Sequence, residues 1–126
     1  MIHGIGTDIV EVARIEASIA QFGDDFAKRI LAESEIESYQ NSQIKARFLA
    51  KRFAAKEAFS KALGTGLRAP CTFQNIAVGH DDLGKPILIL AAELQVFMQS
   101  KNITQTHISI SDEKNLAAAF VVLETS

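Results

Sequence analysis

The 126 residues contain a single cysteine, Cys71, which excludes an intramolecular disulfide and any multi-cysteine zinc site and points to a reducing cytoplasm. Proline is nearly as scarce, with only Pro70 and Pro86, and no segment reads as a linker, an internal repeat or low complexity. Long apolar runs are missing, so no segment is expected to cross a bilayer. Met1 to Val10 is broken by Gly4, Gly6 and Asp8, so no secretory signal is expected either. There is no excess of positive charge: 13 Lys plus Arg against 15 Asp plus Glu leave a net charge of −2. That argues against a nucleic-acid partner held by bulk charge, while leaving room for a local basic patch. What is present is a globular balance, 48% hydrophobic and 22% charged, which rules out disorder. A chain of this length is the size of one domain and buries roughly two-thirds of its unfolded surface.

Charge is unevenly spread. Between Glu11 and Glu37 seven acids face three bases (Arg14, Lys28 and Arg29). Between Lys45 and Lys61 six bases (Lys45, Arg47, Lys51, Arg52, Lys56 and Lys61) face only Glu57. That second stretch reads either as a solvated helix with snorkelling bases or as an electropositive sector for a phosphate ester or an acidic protein.

Ile2 to Asp8 alternates like a short strand. Ile9, Val12, Ile15 and Ile19 then follow at helical spacing, and Asp8 with Glu11 has the spacing of a capping box. Further helical stretches open at Asp24 and Ser34. Ile44 to Leu63 is the longest, stopped at Gly64-Thr-Gly66, where glycine supplies the left-handed terminus. Thr72–Val78 and Ile87–Leu90 read as strands around a turn containing Gly84-Lys-Pro86, Ala91–Ser100 as a short helix, and His107–Ser111 and Leu116–Leu123 as a final strand pair. Helices gather in the first half and strands in the second, so the expected class is α+β, one domain with helices packed on an antiparallel sheet.

Placed at about 100° per residue, the long helix puts Ile44, Phe48, Ala55, Ala58, Phe59, Ala62 and Leu63 on an apolar side. Glu57 and Lys61 share the other side one turn apart, with Ala50 and Ala54 as a small-residue floor. A surface Glu–Lys pair explains them at about 0.3–0.5 kcal/mol. A recess holding a carboxylate and an ammonium also suits a metal–phosphate substrate. Asp8, at a strand end after two glycines, either caps the helix or joins Glu57 as a second magnesium ligand. His107, Ser109 and Ser111 share one face of a strand, which on pattern alone is a solvent face. His3 and His80 have no supporting context, and Cys71, with no histidine placed beside it, reads as a packed thiol.

Gly6-Thr-Asp8, Phe53-Ala-Ala-Lys56-Glu57-Ala58-Phe59-Ser60-Lys61, Gly64-Thr-Gly66, Gly84-Lys-Pro86 and His107-Ile-Ser109-Ile-Ser111 occur in an order that resembles the holo-[acyl-carrier-protein] synthases, the small stand-alone phosphopantetheinyl transferases. The resemblance runs from Met1 to nearly the last residue, and its most specific part is the run from Phe53 to Ala62. It implies transfer of the phosphopantetheine arm of coenzyme A to a serine of acyl carrier protein, with release of adenosine 3′,5′-bisphosphate, in fatty acid biosynthesis. It further implies Asp8 and Glu57 as magnesium ligands, Lys61 as a pyrophosphate clamp and Gly64 as a backbone contact near the nucleotide. Pro86, His107 and Ser109 fall in motifs lining the coenzyme site, and Arg52 becomes a candidate for the ribose phosphate. The family's subunits form a homotrimer with sites between neighbouring chains. Arg14 stands where such enzymes carry carrier-docking bases, but Gln21-Phe-Gly-Asp-Asp25 after it is neutral to acidic, so Lys28, Arg29, Lys45 or Lys51 would share the docking. The group that takes the serine proton is left open. Three rivals predict different behaviour. A non-catalytic nucleotide-binding module needs no second carboxylate, a structural trimer uses Glu57–Lys61 only as a surface bridge, and a metal-dependent phosphohydrolase releases nucleotide without a carrier.

Overall fold

In the computed structural model, which describes residues 1–126, the first strand, β1 (Ile2–Glu11), alternates as its sequence requires: Gly6 and Val10 are buried while Ile5 and Ile9 are exposed. Next come α1 (Val12–Phe22), α2 (Asp24–Ile30), a 3₁₀ turn at Glu33–Glu35, α3 (Ile36–Gln40) and the long α4 (Lys45–Leu63). A second 3₁₀ turn (Phe73–Asn75) leads into the hairpin β2 (Ile76–His80) and β3 (Pro86–Leu90). The chain closes with α5 (Ala92–Ser100), β4 (Ile103–Asp112) and β5 (Leu116–Thr125). The main sheet is antiparallel in the order β1-β5-β4, and β2-β3 forms a separate antiparallel pair. The class is α+β, as the sequence indicates.

α4 is the axis of the core. Leu49, Ala50, Ala54, Ala55, Ala58 and Phe59 are wholly buried, in one continuous cluster with Ala117, Ala119, Val121 and Leu123 of β5. A helix whose apolar residues run nearly all the way round must be covered on nearly every side. The two-sided reading of this helix therefore needs correction. Ala50 and Ala54 do not line an open recess; they are packed, and Ile44 is exposed. At its end Gly64 takes φ 90° and its N–H donates to Ser60 O at 3.0 Å, closing the helix as expected.

Several boundaries move, the first for a tertiary reason, and β4 extends at both ends of the expected His107–Ser111. β1 continues past Asp8 because β5 supplies partners as far as Glu11 opposite Leu116, and the Val12 N–H donates to Asn115 O at 2.9 Å. Asp8 is thus a strand residue and caps nothing; α1 begins at Val12 with no side-chain cap. Thr72 to Asn75 is a 3₁₀ turn rather than strand, with Thr72 Oγ1 accepting from the Asn75 N–H at 3.3 Å. The third helical stretch begins with a 3₁₀ turn one residue before Ser34.

Candidate functional site

Asp8 lies on the face of β1 that looks toward α4, in step with Gly6 and Val10. Strand and helix meet backbone to backbone there: a Cβ on Gly4 would strike the Ala62 carbonyl, and one on Gly6 the Ala58 carbonyl. Close approach of this kind is open only to glycine. It brings Asp8 beside the helical turn that carries Glu57 and Lys61. Lys61 Nζ donates to Asp8 Oδ1 at 3.2 Å and to the Thr7 carbonyl at 2.9 Å. Partial burial pushes the Glu57 carboxyl above its ordinary range, the negative charge of Asp8 pushes it further, and Lys61 opposes both. Two neighbouring carboxylates with one ammonium form a site short of positive charge. No group of three or more His, Cys, Asp or Glu converges anywhere in the chain. A hard cation that accepts one or two protein carboxylates and completes its shell with water and phosphate oxygens fits this pair, and magnesium is such a cation.

Gly64, one turn beyond Lys61, opens a cleft of about 340 Å³ bounded by Thr65, Arg68, Pro70, Cys71 and Phe97. Burial raises the Cys71 thiol, which keeps it protonated and leaves it a packing group.

Arg52 and Pro86 meet in a second cleft, of about 150 Å³, together with Lys51, His80 and Gly84. Arg52 is nearly buried: its Nε donates to Glu35 Oε2 at 2.8 Å and its Nη2 to the Val78 carbonyl at 3.3 Å. Lys56 is fully buried against the same carboxylate at 2.5 Å, and loss of hydration lowers its pKa to about 8. Arg47 and Lys51 reach Asp112 at 2.7 and 4.0 Å. The bases of α4 are therefore not one open electropositive face; all but Lys45 are shared among Glu35, Asp112 and Asp8. Glu35 is the residue the sequence analysis missed, because Glu33-Ser-Glu35-Ile-Glu37 gives no signal that only its middle acid turns inward.

His107 and Ser109 share the outer face of β4, as the alternation predicts, and His107 Nε2 lies 2.5 Å from Glu124 Oε1. That face is the opposite side of the sheet from Asp8. Arg14 is exposed on α1 and forms no ion pair in the chain. One chain thus gathers Asp8, Glu57 and Lys61 with Gly64 nearby, and gathers Arg52 with Pro86, but it leaves His107 and Ser109 on a separate surface.

The model of the 4′-phosphopantetheinyl transferase superfamily matches residues 4–121. The holo-[acyl-carrier-protein] synthase of Nitrosomonas europaea is 56% identical over 124 residues, 98% of this chain and 99% of that protein. The crystal structure of holo-[acyl-carrier-protein] synthase from Neisseria meningitidis superposes with a TM-score of 0.96 at 46% identity, covering 99% of this chain and all of that one. The Bacillus anthracis synthase, solved in complex with CoA (3′,5′-ADP), superposes with a TM-score of 0.83 at 44% identity over 100% of this chain and 99% of that one.

Proposed function

The chain belongs to the 4′-phosphopantetheinyl transferase superfamily and is a transferase, and on that footing we propose that it moves the phosphopantetheine arm of coenzyme A to a serine of apo acyl carrier protein in a magnesium-dependent reaction that releases adenosine 3′,5′-bisphosphate. The observation that carries this reading is the convergence of Asp8, Glu57 and Lys61, together with a nucleotide-bound relative of the same fold. The serine hydroxyl gives up its proton and its oxygen bonds to the β-phosphorus as the bond from that phosphorus to the bridging oxygen breaks, and the adenosine bisphosphate departs with that oxygen and its electron pair. Bound through Asp8 and Glu57, magnesium would neutralise charge on the pyrophosphate. Lys61 is held over the Thr7 carbonyl with half its side chain in solvent, where its ammonium meets phosphate oxygens, and Gly64 lets the nucleotide approach the backbone. Fixing two substrates in line at a charge-matched site supplies most of the catalysis in such a transfer. The deciding test is the mass of apo carrier protein after incubation with enzyme, coenzyme A and magnesium. A gain equal to one phosphopantetheine group is expected, whereas nucleotide release with an unmodified carrier would favour hydrolysis. The lone buried cysteine supports work in a reducing cytoplasm.

The active unit is read as a homotrimer. Ile5 and Ile9 of β1 and Phe120 of β5 are 60%, 67% and 46% exposed, and they share the outer sheet face with His107 and Ser109, with Thr7 and Ser109 both paired to Phe120. An apolar sheet face of this kind asks for cover, a second copy of this chain would supply it, and the family resemblance, with sites between neighbouring chains, agrees. Sedimentation equilibrium should give three times 13.7 kDa, and Phe120→Glu should give monomers with little transfer. A fully active monomer would end this reading.

Carrier docking is read as electrostatic. Acyl carrier proteins are acidic and this chain has no net positive charge, so attraction must come from a local patch. The exposed, unpaired Arg14 supports a share in it, with Lys28, Arg29, Lys45 and Lys51 as candidates to extend it. Arg14→Glu should raise KM for the carrier, leave KM for coenzyme A unchanged and weaken the salt dependence of transfer. Unchanged carrier kinetics would move docking elsewhere.

A further inference from the structure

Glu35 is 3% exposed, and nothing in the chemistry above uses it. Its single carboxylate takes four donors. Oε1 accepts from the Ala32 N–H at 2.8 Å and from Lys56 Nζ at 2.5 Å, while Oε2 accepts from Arg52 Nε at 2.8 Å and from the Val78 N–H at 3.0 Å. Lys56 also donates to the Ile30 carbonyl at 2.6 Å and the Phe73 carbonyl at 3.1 Å, so its three protons are all placed. Arg52 is different. Its guanidinium lies 4.0 Å over the Phe48 ring, which fixes the plane, and beyond Nε and the bond from Nη2 to Val78 O it still has donors to give. Arg52 lines the cleft together with Lys51, His80, Gly84, Pro86 and the carboxylate of Asp112. Arg52 and Lys56 against Glu35 leave one net positive charge behind the cleft, whose lining adds Lys51 and its partner Asp112. Partial burial first, then Arg52 and Lys51, hold the His80 pKa below its usual value, with Asp81 opposing them. A guanidinium pinned at Nε presents its Nη edge as a rigid fork, the geometry that binds phosphate through paired hydrogen bonds.

We propose that Glu35 is a positioning residue for the ribose 3′-phosphate of coenzyme A, acting through Arg52. The carboxylate holds Nε, the Phe48 ring holds the plane, and the Nη donors not taken by the Val78 carbonyl are delivered to the cleft before the phosphate arrives. This rests on the reading of coenzyme A as co-substrate with Arg52 at its ribose phosphate.

The test compares kcat/KM for coenzyme A with kcat/KM for 3′-dephospho-coenzyme A, which lacks only that phosphate. Removing Glu35 alone would leave two buried cations facing each other and unfold the region, so the informative variant is Glu35→Gln with Lys56→Met, which restores the original charge balance. In it the preference for coenzyme A should fall about tenfold, the order of one charge-assisted hydrogen bond. The fall should come through KM for coenzyme A, with the kinetics of the dephospho substrate near wild type. Should the double variant not fold, Glu35→Asp retains the charge, draws the carboxylate back from Arg52, and is read the same way. Arg52→Ala tests the underlying assignment. If it keeps the full preference, the ribose-phosphate reading itself fails. If Arg52→Ala loses the preference while the Glu35 variants keep it, or if the Glu35 variants impair both substrates equally, Glu35 serves only the fold and the positioning role is overturned.

Discussion

Replacing Asp8 or Glu57 by alanine is expected to slow transfer at least about a thousandfold at saturating magnesium, because each carboxylate secures several kcal/mol of charge stabilisation at the pyrophosphate. Asp8→Asn should be as inactive as Asp8→Ala. Its melting temperature should hold, since Asp8 caps no helix and its only ion pair, with the half-exposed Lys61, is worth less than about 1 kcal/mol. Glu57 makes a sharper case. Its carboxyl is raised in the folded protein by burial and then by Asp8. Protonation therefore stabilises the fold below the ordinary carboxylate range, and this stabilisation is lost as pH climbs through the raised value. Near neutral pH the charged Glu57 is a liability in the metal-free protein. Glu57→Gln should accordingly melt slightly above wild type at pH 7, with the advantage shrinking as pH falls. Magnesium should raise the melting temperature of wild type and leave that of Glu57→Gln unmoved. Near-normal turnover in any of these variants, or an equal magnesium shift in wild type and Glu57→Gln, would remove the two-carboxylate site.

Gly6→Ala is expected to cost about 3 kcal/mol, the upper end of ordinary overpacking, and to lower the melting temperature by roughly 10 °C for a chain of this size. The added methyl would strike the Ala58 carbonyl and crowd the Ala62 amide at 2.7 Å, and backbone cannot swing aside as a side chain can. The control is Gly79→Ala, whose Cβ comes too close only to the tip of Ile89, at 2.7 Å; a rotamer change there should hold the loss near or below about 1 kcal/mol. The consequence for function follows from position. Gly6 sets the distance between β1 and α4, and Asp8 reaches Lys61 across that distance, so the folded fraction of Gly6→Ala should also bind magnesium more weakly. Equal melting of the Gly6 and Gly79 variants would show that the strand–helix contact is softer than its geometry implies.

Much of this was legible in the sequence, and for local reasons. The alternation of β4 put His107 with Ser109, the apolar stretch of α4 ended where Gly64 and Gly66 said it should, and the Gly84-Lys-Pro86 turn led into β3. Glu57 and Lys61 fall one turn apart on any α-helix, so their pairing needed no fold. Where local signals competed, the sequence lost. Asp8 followed by Ile9, Val12 and Ile15 satisfied a helix start as well as a strand, and only β5, more than a hundred residues later, decided for the strand. Ala50 and Ala54 look like the floor of a recess until a sheet is laid on them.

By itself, then, the sequence determined what short-range periodicity and turn chemistry can determine: the α+β class, the long helix with its glycine stop, and the residue types suited to a cation and a phosphate. Tertiary structure alone decided that Asp8 joins Glu57 and Lys61, because that meeting depends on two glycines letting a strand lie against helical carbonyls. It alone decided that Arg52 and Lys56 turn inward to Glu35 rather than outward to solvent, because burial of a charge depends on whether a counter-charge from a distant turn arrives beside it, and no pattern along the helix records that arrival.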